Sequence, residues 1–364
     1  MEKFCMRALA LVVAFSGCMV GTVFAGDEGP VVYTMSNAPS GNAVLAFEQH
    51  GDTLVPAGTF PTEGKGSGGG LGNQGAIAFS EDGEILLVSN PGSNEISVFR
   101  VRGRDLRLVD KVGSGGIRPI SIATHEDLVY VLNAGGAGNI TGFELTSRDK
   151  LKSIPGSTRL LSGSATAPAQ IGFNPSGDTL VVTEKATKII DTYTVDEDGV
   201  ASGPSSQPSN GVTPFGFSFN QRGVLVVSEA FGGAPNASAV SSYAIDKAAL
   251  TLISGSVPDF QSAICWIVIT KNGKFAYGSN TGSSNISSYK VRRDGTLILQ
   301  EAVATPTGAT PIDMALSRNS KFLYVLNSAA HSIDVFRVDR GDGRLTSGTG
   351  VSGLPTGTNG LVAR

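Results

Sequence analysis

A chain of 364 residues with 40% hydrophobic residues, only 16% charged residues and 48 glycines is too apolar to be disordered. It reads as an all-β globular protein with many tight turns. A formal charge of −3 with no basic stripe excludes a nucleic-acid partner, and the length suffices for a well-buried core.

Lys3 and Arg7 precede an apolar run over residues 8–15, and Val23-Phe24-Ala25 places small or tolerated residues at cleavage positions. This pattern predicts a signal peptide over residues 1–25 and one exported domain, periplasmic or extracellular, over residues 26–364. A membrane span would need about 20 apolar residues, and Ser16, Gly17 and Gly21 interrupt the run. Phe15-Ser16-Gly17-Cys18 loosely resembles a lipobox, but Phe15 fits it poorly, so anchoring through Cys18 is the weaker expectation. With Cys5 and Cys18 in the signal, Cys265 is the one cysteine of the exported domain and has no partner for a disulfide.

From Val31 onward one pattern recurs. Its middle segment appears as Val31-Val32-Tyr33-Thr34-Met35-Ser36-Asn37, Ile85-Leu86-Leu87-Val88-Ser89-Asn90, Val129-Tyr130-Val131-Leu132-Asn133 and Leu180-Val181-Val182-Thr183-Glu184. It returns as Leu225-Val226-Val227-Ser228-Glu229, Ala276-Tyr277-Gly278-Ser279-Asn280 and Leu323-Tyr324-Val325-Leu326-Asn327. A following segment carries an aromatic at a fixed place: Phe47, Phe99, Phe143, Tyr193, Tyr243, Tyr289 and Phe336, spaced by 44 to 52 residues. That period suits one four-stranded antiparallel blade, so the chain is expected to be a seven-bladed β-propeller.

A preceding segment begins near residues 75, 119, 169, 215, 265 and 312, and its seventh copy is the C-terminal stretch 359–364. The last strand should therefore supply the innermost strand of a blade whose other three strands come from residues 31–60, leaving no open sheet edge. Asp82-Gly83, Ser176-Gly177, Arg222-Gly223 and Asn272-Gly273 join first to second strands, and Asp198-Gly199, Asp294-Gly295 and Asp342-Gly343 join third to fourth. Such pairs suit tight hairpins. The glycine-rich run 64–72 lacks the ending and the helix of a P-loop and reads as the loop entering the first complete blade.

Aligning the first strands gives a channel-facing ring of Ala76, Ser121, Gln170, Gly216, Trp266, Asp313 and Gly360, with Gln74, Arg118 and Asn359 just above it. Glu184 and Glu229 depart from the repeated Asn on adjacent blades, with Lys185 beside the first. They form an acid–base pair or a cation site, or else each caps the turn after its strand or pairs with Lys185. Trp266 is a stacking platform or a channel plug, and Asp313 a perturbed carboxylate or a structural hydrogen-bonding group. The three histidines, His50, His125 and His331, lack metal-ligand spacing, so neither a metal nor a cofactor is expected. His331 follows a second strand and could reach the upper face.

The repeated Pro-x-x-hydrophobic-x-hydrophobic-Ser, Gly-Lys-Phe-x-Tyr and Phe-x-Val units resemble the seven-bladed lactonase family, which includes the propeller type of 6-phosphogluconolactonase and the carboxymuconate cyclase. The resemblance runs from Val31 to Arg364 and implies a lactonase-like hydrolase acting on a small lactone. Family enzymes carry His, Arg and Glu at the channel, where this chain has Gln170, Gly216 and Trp266. The water-activating candidates are then Asp313, Glu184 and Glu229, with Gln170, Trp266, Arg118, Lys185 and Ser121 as substrate-binding candidates. The alternative is a non-catalytic exported scaffold that binds a ligand or a protein. A monomer with a small molecule in its central channel is expected.

Overall fold

The computed structural model describes residues 29–364. The predicted signal peptide, with Cys5 and Cys18, lies outside the described residues.

Seven antiparallel sheets follow one another around a closed ring. Blade 1 joins the two ends of the chain: from the outside inward it runs Thr53–Pro61, Ala43–His50, Val31–Met35 and Asn359–Ala363. Blade 2 comprises Ile77–Phe79, Ile85–Asn90, Glu95–Arg102 and Asp105–Gly113. Blades 3 to 7 begin with the innermost strands Pro119–His125, Pro168–Phe173, Pro214–Phe219, Ile264–Ile269 and Pro311–Leu316. Each innermost strand touches the next, and Pro311–Leu316 touches Asn359–Ala363 to close the circle. The outer strands of blades 3 and 7 are each split in two.

The strands of blades 4, 5 and 7 start one residue before the predicted positions, at a proline. Pro168, Pro214 and Pro311 lie opposite Glu184, Glu229 and Asn327, the residues that end the second strands. Proline is tolerated as the first residue of a strand because its missing N–H falls outside the ladder. Directly after it the register slips, as between Pro168 and Gln170 or Pro311 and Asp313. Such a bulge leaves a carbonyl unpaired. In blade 5 a second-strand hydroxyl bonds at the slip, with Ser228 Oγ donating to Gly216 O at 2.9 Å. In blade 2, which has no slip, Ala76 O accepts from both Ser89 N at 3.0 Å and Ser89 Oγ at 2.8 Å.

Second strands such as Ile85–Asn90 and Phe275–Asn280 are buried along their whole length, because blades stack on both of their faces. Their tyrosines also lock one blade to the next. Tyr130 Oη in blade 3 donates to Gly199 O at 2.7 Å and accepts from Ala201 N at 2.9 Å, in the outer hairpin of blade 4. Tyr277 Oη in blade 6 reaches Gly343 O of blade 7 at 2.7 Å in the same way. A side chain on Gly343, at φ +77°, would also strike the Phe275 ring 2.5 Å away, so that turn needs its glycine twice over.

Candidate functional site: the upper face of the channel

In antiparallel blades, the loops entering the innermost strands and the turns after the second strands lie at one end of the channel, here the upper face. The turns between first and second strands lie at the other end. The glycine-rich run enters blade 2 as expected, but on the way it crosses the channel. Gly68 N donates to Asn37 O at 2.9 Å in blade 1. A few residues on, Gln74 N reaches Ala169 O of blade 4 at 3.1 Å, and Ser121 Oγ of blade 3 donates to Gln74 O at 2.6 Å. On the far side the Gln74 amide donates to Ile267 O at 3.0 Å and accepts from Ile267 N at 3.3 Å. Trp266 Nε1 donates to Asn73 O at 2.7 Å. Asn73 and Gln74 therefore plug the upper channel, and a Cβ on Gly216 would lie 2.1 Å from Gln74 Oε1. That ring position is glycine because the loop occupies the space.

Of the predicted substrate-binding residues, Ser121, Lys185 and Trp266 bond the loop that forms this plug, whereas Gln170 and Arg118 do not. Gln170 bridges blades 4 and 5, accepting from Phe217 N at 2.7 Å and donating to Phe217 O at 3.1 Å. Ser121 serves Gln74 O and Ile171 N. Lys185 Nζ donates to Gly72 O and, at 3.1 Å, to Pro168 O, and lies 4.6 Å from the Phe215 ring centre. Burial lowers the Lys185 pKa to about 8, the neighbouring Cys265 opposes this, and Arg118 adds a smaller downward push. Arg118 is exposed in the loop entering blade 3, at φ +59°. Trp266 is 4% exposed, with its ring 4.9 Å from that of Phe215.

The predicted catalytic carboxylates are deeper. Glu184 and Glu229, both fully buried, share none of their hydrogen-bond partners. Glu229 accepts from Gly211 N at 2.8 Å, Ser241 Oγ at 2.5 Å and Ser256 Oγ at 2.7 Å, and burial raises its pKa against these bonds. Glu184 accepts from Ser162 N at 3.0 Å and Ser162 Oγ at 2.5 Å, and from Thr187 Oγ1. Its nearest acidic neighbour is Asp191, which takes the same Ser162 N–H at 3.1 Å. Burial, and then contact with Glu184, push the Asp191 carboxyl upward. Nothing in the sequence marks this pair, because Asp191 sits in an ordinary third strand. Asp313 is 2% exposed and accepts from Met314 N at 2.8 Å, and burial holds its pKa well above the usual carboxylate range. Among the described residues, no three His, Cys, Asp or Glu side chains converge as a metal site.

Beside the plug lies an open cleft of about 570 Å³. Residues 68–72 of the loop, Trp266, Ile312, His331 and Asn359 line it. His331 follows the second strand of blade 7 and takes φ +51°. Asn359 Oδ1 is buried with no protein donor, and among the described residues the N–H groups of Gly69, Gly70, Leu71 and Gly72 meet no protein acceptor. The cleft thus combines one imidazole and backbone N–H groups without protein acceptors with an apolar floor, a composition found in small-molecule sites.

The chain is thus a closed seven-bladed propeller with an open cleft at the mouth of its channel. The chain is a member of the family described as lactonase, 7-bladed β-propeller, which it matches over residues 22–154 and 257–358. The unmatched stretch carries Gln170, Glu184, Lys185 and Glu229. The chain is 21% identical over 333 residues to the uncharacterized protein YwcC of Lactococcus lactis, covering 88% of this chain and 81% of that protein. Among solved structures it is similar to a candidate 6-phosphogluconolactonase of Bacteroides fragilis, with 18% identity, 93% of this chain and 99% of the other covered, and a TM-score of 0.73. It is also similar to the periplasmic gluconolactonase PpgL of Pseudomonas aeruginosa, with 15% identity, 91% and 98% covered, and a TM-score of 0.71.

Proposed function

We propose that this chain is an exported lactone hydrolase that opens a small sugar-derived lactone in the upper-face cleft. The observation that carries this reading is family membership together with a cleft of suitable size whose lining includes a histidine. His331 takes a proton from water as the water oxygen bonds to the lactone carbonyl carbon. The free N–H groups of residues 69–72 face the charge that grows on the carbonyl oxygen. The ring C–O bond then breaks, and the departing alkoxide recovers the proton from His331, giving the hydroxy acid. Asp313, Glu184 and Glu229 act beneath the surface by holding turns and strands, since each already receives protein donors.

The self-filled channel favours a second reading, an exported binding protein without turnover. Assay of a panel of sugar lactones and their 6-phosphates, following acid release, separates the two. Hydrolysis that drops about 100-fold or more in His331→Asn and persists in Asp313→Asn supports the lactonase. Binding of the same lactones with no acid release leaves the scaffold reading.

A further inference from the structure

A second concave region lies on the lower face, away from the plug and the cleft. It is a groove of about 670 Å³ where the two ends of the described chain meet the first hairpin of blade 7. Among the described residues its charged lining side chains are Lys271, Arg318, Lys321, Arg340 and Arg364, with no carboxylate side chain among them. Among the described residues Arg100, Arg104, Lys111, Lys150, Arg337 and Arg344 stand in ion pairs; these five, like most of the other basic residues, do not, but here all five share one concave surface. In a chain of net charge −3, five unpaired cations on one concave surface are not explained by solubility.

Two of the guanidiniums are tethered. Arg318 Nη2 donates to Asp82 O at 3.2 Å and Arg340 Nη2 to Asn319 O at 3.3 Å, each leaving other N–H groups free. The nearest acids serve their own turns. Asp82 accepts from Ser80 Oγ at 2.6 Å and Glu84 N at 2.9 Å, and Asp339 from Gly341 N at 2.7 Å and Asp342 N at 3.0 Å.

We propose that this groove is a binding site for a soluble ligand carrying several phosphate groups in close succession. Arginine forks match phosphate oxygens two at a time. Cations drawn from two blades and the C-terminal strand suit a ligand that presents more than one anionic group. A phospholipid surface fits less well: the exposed large apolar residues, Ile117, Leu160, Leu252, Phe260, Ile298 and Val303, all lie outside the groove and offer no anchor beside it.

The test is calorimetric titration of the full chain with phosphate, pyrophosphate and tripolyphosphate at low salt. Affinity should rise along that series and weaken as salt is added. Arg318→Gln with Arg340→Gln should lower tripolyphosphate affinity by about tenfold or more, the size expected for lost charge-assisted hydrogen bonds. Removing two exposed cations elsewhere, Lys152→Gln with Arg293→Gln, should change it less than about twofold. Asp27→Asn with Glu28→Gln, just before the groove-lining Gly29, should leave it unchanged or tighten it. Equal losses in the groove and control variants, no rise with chain length, weaker binding after the Asp27 and Glu28 exchange, or binding to phosphatidylglycerol vesicles but not to tripolyphosphate would each overturn the assignment. Lactone hydrolysis is read separately, so failure here does not touch the upper-face reading.

Discussion

Trp266 and Asn73 are 193 residues apart in sequence and are joined by one hydrogen bond of 2.7 Å across the channel. With the paired bonds of Gln74 to Ile267, it turns a glycine-rich surface loop into a brace between blades 2 and 6. Gln74→Ala leaves the N–H and C=O of Ile267 without partners in a buried setting. A buried unpaired polar group costs about 1–3 kcal/mol, so the variant should be less stable by that order in urea denaturation. Its tryptophan emission should shift to the red as water reaches Trp266. An unchanged midpoint and unchanged emission would mean that the loop does not brace the channel.

The tyrosine locks give a paired comparison. Tyr130 Oη serves two backbone groups of the next blade, while the equally buried Tyr324 Oη has no partner. Tyr130→Phe should therefore cost about 1–2 kcal/mol, and Tyr324→Phe should be neutral or stabilising. Equal effects of the two exchanges would remove the hydroxyl from the account and leave only ring packing.

The blade count and the two-ended closure were legible in the sequence because both follow from local pattern. Residue Tyr193 or Phe336 announces its strand by type and spacing, and the missing first segment before Val31 matches the surplus one after Thr358. The site was less legible. Ser121, Gln170 and Trp266 lie on innermost strands, as the repeat implies, but the partners of Ser121 and Trp266 are Gln74 and Asn73, set by a loop path that has no periodicity. Glu184 was visible as a departure from Asn, but its contact with Asp191 depends on three-dimensional packing. His331 stood out only as a residue after a second strand, and it is the cleft that gives it a setting.

Buried carboxyls set the sign of the pH response. Burial raises Glu229, Asp191 and Asp313, and raises Asp259 from 3.8 to about 6. A carboxyl with a raised folded-state pKa binds more protons in the folded than in the unfolded chain, so its contribution is complete below about 4 and fades as pH rises through the folded value. The carboxyls that are lowered, such as Asp82 and Asp178, act in the opposite sense, but only as pH falls below their usual range. Stability should thus decline from pH 4.5 to 7.5. Asp259 accepts from Gln261 N and Ser287 Oγ, and Asp259→Asn can keep both contacts. That variant should remove on the order of 2 kcal/mol of the decline. An identical slope in thermal melts of both proteins would exclude Asp259 as a source.

Closure can be tested by ending the chain before Gly353. The cut removes Asn359–Ala363, which pairs with Val31–Met35, together with buried Leu354 and Leu361. Blade 1 then exposes a bare strand and blade 7 loses its neighbour. The melting temperature should fall by roughly 10 °C or more, given about 2–4 °C per kcal/mol at this size. A truncated chain that melts with the full one would refute two-ended closure.

The upper cleft offers a direct readout, because Trp266 is the only tryptophan in the chain and forms part of its lining. It is 4% exposed, so an occupant touches an edge of the indole and does not stack over a free face. A lactone seated there should alter the emission modestly, by replacing water at that edge. Trp266→Ala is a poor test, since losing a buried indole costs about 3–5 kcal/mol and would loosen the plug as well. His331→Asn is better, because Asn tolerates the positive φ that His331 adopts. If His331 activates water, this variant should still bind, with the emission change retained and affinity within a few-fold, while turnover falls by about 100-fold or more. Turnover that survives the exchange would place the base elsewhere. Turnover of a lactone that never perturbs Trp266 would move the whole reaction out of this cleft.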